Sequence, residues 1–247
     1  MRGAVLRKPL LIGLILAPCL FAHKSFGQAT RDIQSWNAAL IDWNFKTNWL
    51  FELELDYNRL LSEGAVWREI ATQPSFEFYP NNSLDLFAGV YLTSTKQNDV
   101  EDTEEVRPLV GFRWNIIKPE KRVFLRTQVK YEYRIFRSTS SENQDDVGRL
   151  RTRLDLFVPI TRSSYSEDKN LYVISWTEAF FNFDNTIKER YQSTFRQYAG
   201  LGYRLSYSWR FEAYYVFQAA RDSLTDDIPD SINNVLFIML KFYIPRS

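Results

Sequence analysis

The chain alternates hydrophobic and polar residues with a period of two, most clearly over residues 122–160. In the segment 123–135 one set of alternate positions is almost entirely apolar or aromatic, and the interleaved set is mostly charged. The segment 149–158 repeats this pattern. Successive side chains of a β-strand point to opposite faces, so the pattern predicts two strands with one apolar and one charged face. They are about twice the usual strand length, which is typical of a wall between lipid and a polar interior.

Alternation of varying quality continues along the whole chain. The eleven candidate strands are 33–45, 48–60, 66–79, 83–96, 105–117, 122–137, 147–160, 170–183, 191–205, 208–222 and 232–244. The faces of the first strand, which contains Trp36 and Trp43, and of the eighth, which contains Glu178, are ambiguous. After residue 33, no window has the ~18 consecutive apolar residues of a transmembrane helix. The pattern therefore predicts a single all-β domain.

The connections between these strands differ in length. Residues 46–47, 80–82, 118–121 and 206–208 are short connections, whereas 97–104, 138–146, 184–190 and 223–231 are longer and polar. Residues 161–169 form a long connection where a short one is expected. Outer-membrane barrels have short periplasmic turns and longer outer loops. We therefore predict a transmembrane, antiparallel up-and-down β-barrel with an even number of strands, twelve or else ten.

Residues 1–27 have the features of a secretory signal. A basic start precedes an apolar run, 10–22, that is too short to span a bilayer, and small residues at 25–27 fit a cleavage site. We expect cleavage there, which leaves residues 28–247 as one outer-membrane barrel domain. A retained membrane anchor and a lipoprotein cleavage site at 16–19 are the alternatives.

Removal of this segment would change the chemistry of the chain. Four of the 31 basic residues and none of the 30 acidic residues lie in it, which leaves 27 basic residues in the mature chain. It also contains the single Cys (Cys19) and the single His (His23). The nearly balanced charge gives no indication of a nucleic-acid partner. The 19 Phe, 14 Tyr and 7 Trp suit strands and membrane interfaces.

A mature chain without His or Cys does not support several kinds of catalysis. It lacks the base of His-dependent acyl transfer, a thiol nucleophile and metal ligands that bind through N or S. Carboxylate chemistry on a glycoside, with Glu52, Glu54 and Asp56 as the candidate cluster, is the remaining enzymatic alternative. Oxygen ligands in the acidic loop 98–105 are an alternative Ca²⁺ site. We expect a protein that is not an enzyme and that has no cofactor and no metal.

Charged residues at the interleaved positions form two candidate lumen stripes. The basic stripe lies on the fifth to seventh strands and consists of Arg107, Arg113, Arg126, Lys130, Arg134, Arg149, Arg151 and Arg153. The acidic stripe lies on the second to fourth strands and consists of Glu52, Glu54, Asp56, Glu69, Glu77 and Asp85. Opposed charges of this kind line selective pores. In a small barrel they can instead meet across the lumen as a packed network of ion pairs.

Five segments of the chain carry a resemblance to a known family. They are 32–36 (DIQSW), 105–108 (EVRP), 149–154 (RLRTRL), 171–184 (LYVISWTEAFFNFD) and 198–204 (YAGLGYR). In this order and spacing they resemble the bacterial proteins grouped as domain of unknown function 2490. The resemblance implies an outer-membrane β-barrel without an established activity, and it supplies no catalytic residues.

These observations lead to one expectation about function and two alternatives. We expect a barrel in the outer membrane of a Gram-negative bacterium with a structural or transport-related role. Its partners would be outer-membrane lipid and the barrel-assembly machinery, and the solute and the oligomeric state stay open. The alternatives are a narrow channel for small polar or ionic solutes and a soluble periplasmic β-barrel that binds a ligand.

Overall fold

Eleven β-strands form one closed barrel. The computed structural model describes residues 30–62, 66–98, 101–139, 144–183, 192–221 and 231–246, so the expected signal segment 1–27 lies outside the described residues. The strands are β1 (Thr30–Lys46), β2 (Trp49–Leu60), β3 (Trp67–Asn81), β4 (Leu84–Gln97), β5 (Thr103–Ile117), β6 (Phe124–Ser138), β7 (Gln144–Pro159), β8 (Asn170–Asn182), β9 (Gln192–Arg204), β10 (Trp209–Arg221) and β11 (Ser231–Ile244). Their ends lie within three residues of the predicted ones. Among the described residues, none form a helix that is long and apolar enough to cross a membrane.

The barrel closes through a parallel pair of strands. Consecutive strands reverse direction, so the first and the eleventh run the same way, and β1 pairs with β11 in parallel from Thr30↔Ser231 to Trp43↔Ile244. All other neighbouring strands pair antiparallel. The prediction of twelve or ten antiparallel strands was therefore wrong. A parallel ladder also satisfies the backbone groups of two edge strands, so closure does not require an even count.

The two faces predicted by alternation are the inside and the outside of the barrel. Charged side chains such as Glu132, Arg134 and Asp155 point inward and are almost fully buried. Large apolar side chains point outward and are exposed, Val110 and Ile70 among them. The structure also shows which face of the first strand points inward, because Trp36 is buried inside the barrel whereas Trp43 is exposed outside. The polar interior is therefore surrounded by an apolar outer surface.

The interior is not uniform, because β8–β11 fill their side of it with aromatic and aliphatic side chains. Trp176 packs against Tyr198 and Tyr214 with ring centroids 4.4 and 4.5 Å apart, and Tyr214 stacks on Phe237 at 5.3 Å. Val216, Val235 and Ile174 are fully buried in the same cluster. This side of the barrel has a hydrophobic core, and the remaining interior space lies towards β1–β7.

A glycine on β9 makes room for this packing. A Cβ atom at Gly202 would overlap the aromatic ring of Tyr172, which is fully buried on the neighbouring strand β8. Gly200 is similarly crowded by the backbone of Ala213 and the ring of Tyr214. The two glycines therefore allow close approach of large rings.

The long connection 160–169 folds back against the end of the barrel where the short connections lie. Tyr165 is buried, and its ring lies 4.7 Å from that of Phe157, 4.9 Å from that of Tyr172 and 5.4 Å from that of Phe124. The side-chain amide of Asn170 donates to the carbonyl of Ser164 at 2.9 Å. This segment is longer than its counterparts because it covers the aromatic core at that end.

Candidate functional site

The main interior space is a cavity of about 1270 Å³ lined mostly by the inner faces of β1–β7, and side chains of β8–β11 such as Trp176, Glu178 and Lys241 form its remaining side. Its walls include residues near the long loops, such as Gln97 and Asp145, and residues near the short turns, such as Tyr79 and Tyr243. It therefore extends along most of the strand length. All the predicted stripe residues line it except Arg134, which is buried on the same strand face.

On the basic side, cations surround buried carboxylates that are on the same or adjacent strands. Glu132 on β6 is fully buried and lies 2.6 Å from Arg149, 2.9 Å from Lys130, 3.7 Å from Arg151 and 3.9 Å from Arg107. Pairing is the condition under which a charge can be buried at tolerable cost. Glu132 is therefore the centre of a cation cluster.

Three further carboxylates complete this ion-pair network. Glu178 on β8 lies 2.5 Å from Arg151 and 3.9 Å from Arg153. Asp155 on β7 contacts Arg153 at 2.7 Å and Arg126 at 2.8 Å. Glu105 on β5 contacts both Arg107 and Arg134 at 2.7 Å. Each basic residue named here has a carboxylate partner on its own or an adjacent strand.

The sequence interpretation missed these four carboxylates as partners of the basic stripe. Glu132 and Asp155 occupy the same alternating stripe as the basic residues, so the signal was present in the pattern. Cross-strand neighbours have Cβ atoms about 5 Å apart, whereas the predicted partners lie across the cavity. Among the described residues, Arg107, Arg126, Lys130, Arg151 and Arg153 form no ion pair with the acidic stripe, so the predicted pairing across the lumen is wrong for them.

Arg113 does form the predicted bridge between the two stripes. Its guanidinium donates to Glu77 on β3, which is almost fully buried, and lies 3.6 Å from Glu52 on β2. The hydroxyl of Tyr79 also donates to Glu77, at 2.6 Å. The basic and acidic walls are thus joined near the end with the short turns.

Two carboxylates of the remaining acidic wall form no ion pair within the described part of the chain. Glu54 and Asp56 line the cavity without a hydrogen bond or ion pair to any described residue. Asp42 on β1, absent from the predicted stripe, is buried opposite Glu52, and its Oδ1 has no hydrogen-bond partner in the described part of the chain. Glu69 accepts hydrogen bonds from Asn58 at 3.0 Å and Tyr91 at 3.3 Å. Glu54 and Asp56 therefore face the cavity without a cationic partner in the described part of the chain.

A second polar cluster lies within the aromatic core and was not predicted as a site. Glu212 on β10 accepts from Tyr172 at 2.8 Å and from Tyr214, and Lys241 lies 2.8 Å away. Arg210 donates to the hydroxyl of Tyr165 at 2.8 Å, which attaches the 160–169 segment to β10. These contacts satisfy buried polar groups in the core.

The described residues contain neither of the alternative sites that the sequence suggested in the form that its chemistry requires. In the described part of the chain, no group of three or more His, Cys, Asp or Glu is arranged to hold a metal ion. Glu52, Glu54 and Asp56 follow one another along a single strand. That the protein is not an enzyme stays a prediction.

The geometry defines a closed all-β barrel with buried ion pairs around an interior cavity. A family model described as "Protein of unknown function (DUF2490)" matches residues 33–228, and the chain belongs to this family. The family resemblance seen in the sequence is thereby confirmed. Comparisons with curated proteins and with solved structures gave no match.

Proposed function

We propose that the protein is an outer-membrane β-barrel whose interior conducts small ionic or polar solutes with a preference for cations. The observation that carries this proposal is the continuous space of about 1270 Å³ between a neutralised basic wall and an acidic wall that holds unpaired carboxylates. A purely packed interior would leave no such space.

The outer surface supports the membrane part of the proposal. Exposed Val110, Leu154 and Ile238 face outward from three separate strands. Aromatic residues gather where the short connections meet the strands, namely Trp43, Trp49, Trp114 and Trp209, all exposed. Strands of 12 to 17 residues exceed the ~9–11 residues that a tilted strand needs to cross a bilayer. The alternative of a soluble ligand-binding barrel would leave this whole belt in water.

Fractionation of cells tests the membrane part. The protein is expected in the outer-membrane fraction, and the detergent-extracted barrel is expected to change its gel mobility on heating. A freely soluble protein would contradict the proposal.

Planar-bilayer recordings test the conducting part. The wild-type barrel is expected to give small single-channel currents and a reversal potential that indicates cation preference in a KCl gradient. The variant Glu54→Gln/Asp56→Asn is expected to lose this preference, because it removes unpaired charges from the wall. Glu104→Gln is the matched control, since Glu104 is exposed on the outer face of β5. Insertion without current, or equal selectivity in all three proteins, would contradict conduction but not membrane location.

A further inference from the structure

Three basic residues lie side by side on the outer face of the barrel near the long loops. Arg59 on β2 is the cross-strand partner of Arg68 on β3, and Arg68 is the partner of Lys96 on β4. All three side chains are exposed. Each lies within one residue of a strand end. We call these residues the rim triad.

The members of the rim triad form no ion pair within the described part of the chain. None of its members forms a hydrogen bond or an ion pair with any described residue. Like charges that face each other across neighbouring strands destabilise a sheet. An anion bound on the three side chains would therefore stabilise this arrangement.

An apolar groove runs across the outer surface directly below the rim triad. It has a volume of about 890 Å³ and is bounded mainly by Leu55, Tyr57, Ile70, Thr72, Leu92 and Val106. Tyr57 and Ile70 are the next outward-facing residues below Arg59 and Arg68, and are themselves cross-strand partners. Both are exposed. We call this feature the outer groove; its polar edges are Asn37, Ser94 and Glu104.

We propose that the rim triad and the outer groove together bind an anionic lipid of the outer leaflet. A phosphate of the headgroup would lie on the three cations, and an acyl chain would lie in the groove. Arginine binds phosphate oxygens through charge-assisted, often bidentate hydrogen bonds. The adjoining groove distinguishes a lipid from free phosphate, since it offers an apolar surface that inorganic phosphate cannot use. This inference rests on the proposed membrane location.

The test is lipid binding by the purified, detergent-solubilised full barrel, measured by native mass spectrometry. The probes are diphosphorylated lipid A, zwitterionic phosphatidylcholine and inorganic phosphate. We expect the wild-type protein to bind lipid A at least about tenfold more tightly than phosphatidylcholine. We expect Arg59→Gln/Arg68→Gln/Lys96→Gln to lose about that factor for lipid A alone, with phosphatidylcholine binding unchanged.

Two further variants separate the two parts of the site. Arg137→Gln is the matched control, because Arg137 is exposed at the same rim but is the cross-strand partner of an acid, Glu104; its lipid A affinity should match wild type. Thr72→Trp fills the outer groove and should weaken lipid A binding while leaving the rim triad in place. Heat-dependent gel mobility shows that each variant is folded, and the single substitution Lys96→Gln should give a partial loss if the triple variant does not fold.

Three outcomes would overturn the inference. They are equal lipid A affinity in wild type and the triple variant, an equal loss in the Arg137→Gln control, and inorganic phosphate binding as tight as lipid A. Any of these in a protein that fractionates with the outer membrane refutes the lipid site alone. A soluble protein refutes the proposed function instead.

Discussion

The inner face of β5–β7 and the inner face of β1–β4 both carry charged residues but use them differently. On β5–β7 the cations are held by Glu105, Glu132, Asp155 and, from β8, Glu178. On β1–β4, Glu54 and Asp56 face the cavity without a partner on the described chain. The first face resembles the inside of a folded protein and the second resembles a binding surface.

This difference between the two inner faces shows how a charged stripe in a barrel can be interpreted. In a stripe that contains both positive and negative charges, residues on adjacent strands can form ion pairs, because their side chains are about 5 Å apart. A stripe of one sign has no such option and stays available to solvent or solute. The mixed composition of the stripe on β5–β7, and not its size, therefore indicates a structural role.

The largest effect on the free energy of unfolding is expected from Glu132→Gln. This change leaves Arg107, Lys130, Arg149 and Arg151 around a neutral side chain in a fully buried position. Breaking a buried ion pair by removing one partner costs about 3–5 kcal/mol, so the free energy of unfolding should fall by an amount in that range. Urea unfolding of the barrel, followed by tryptophan fluorescence, measures it.

The control for this substitution is Glu54→Gln, which makes the same chemical change on the unpaired wall. It should alter the free energy of unfolding by less than about 0.5 kcal/mol, since no cation loses a partner. Equal costs at the two positions would show that the two inner faces do not differ as described.

A smaller effect is expected from Arg113→Gln, which removes the bridge between the two faces. Glu77 would stay buried with the Tyr79 hydroxyl as its remaining described donor. A charged hydrogen bond contributes about 1.5–3 kcal/mol, and the free energy of unfolding should fall by a similar amount. Arg113→Lys keeps the charge but loses the planar fork, so it should cost less. If Arg113→Gln costs nothing, the bridge is not stabilising.

Alternation predicted the positions and faces of the strands well because each face meets a different environment. It could not predict the closure, because alternation reports the direction in which a side chain points and not the neighbour of a strand. The parallel ladder between β1 and β11, which closes the barrel, has no signature in the alternation of either strand. An even count is a regularity of bacterial barrels, and applying it led to the wrong number.

The site was predicted less completely than the fold. The positions of Arg151 and Glu54 on the inner face follow from the alternation of side chains along their strands. The partner of Arg151 depends on the cross-strand register, which one sequence does not show. Tyr165 lies in a connection with no alternation, and its burial against Phe157 and Tyr172 depends on how the chain turns back. Nothing in the local sequence pattern distinguishes such a residue from a solvated one.

The smallest effect on the free energy of unfolding is expected at an exposed carboxylate. It extends the comparison from the buried carboxylates to one on the surface. Glu167 in the 160–169 segment accepts hydrogen bonds from the Ser163 hydroxyl at 2.5 Å and the Ser164 N–H at 2.9 Å. These donors favour the ionised form and lower the pKa of the Glu167 carboxyl from its ordinary value of 4.5. The stabilisation is therefore present above about pH 4.5 and is lost as the pH falls through the lowered pKa.

Hydrogen exchange of the Ser164 amide should report this contact. Exchange, corrected for its intrinsic pH dependence, should be protected at neutral pH and lose protection on acidification, and Glu167→Gln should remove most of the pH dependence. The unfolding free energy of the whole barrel should barely change, because the carboxylate is exposed and solvent screens it. Asp168→Asn is the control, since the described contact of Asp168 with Arg204 does not involve that amide. A pH dependence that persists in Glu167→Gln would assign the protection to another group.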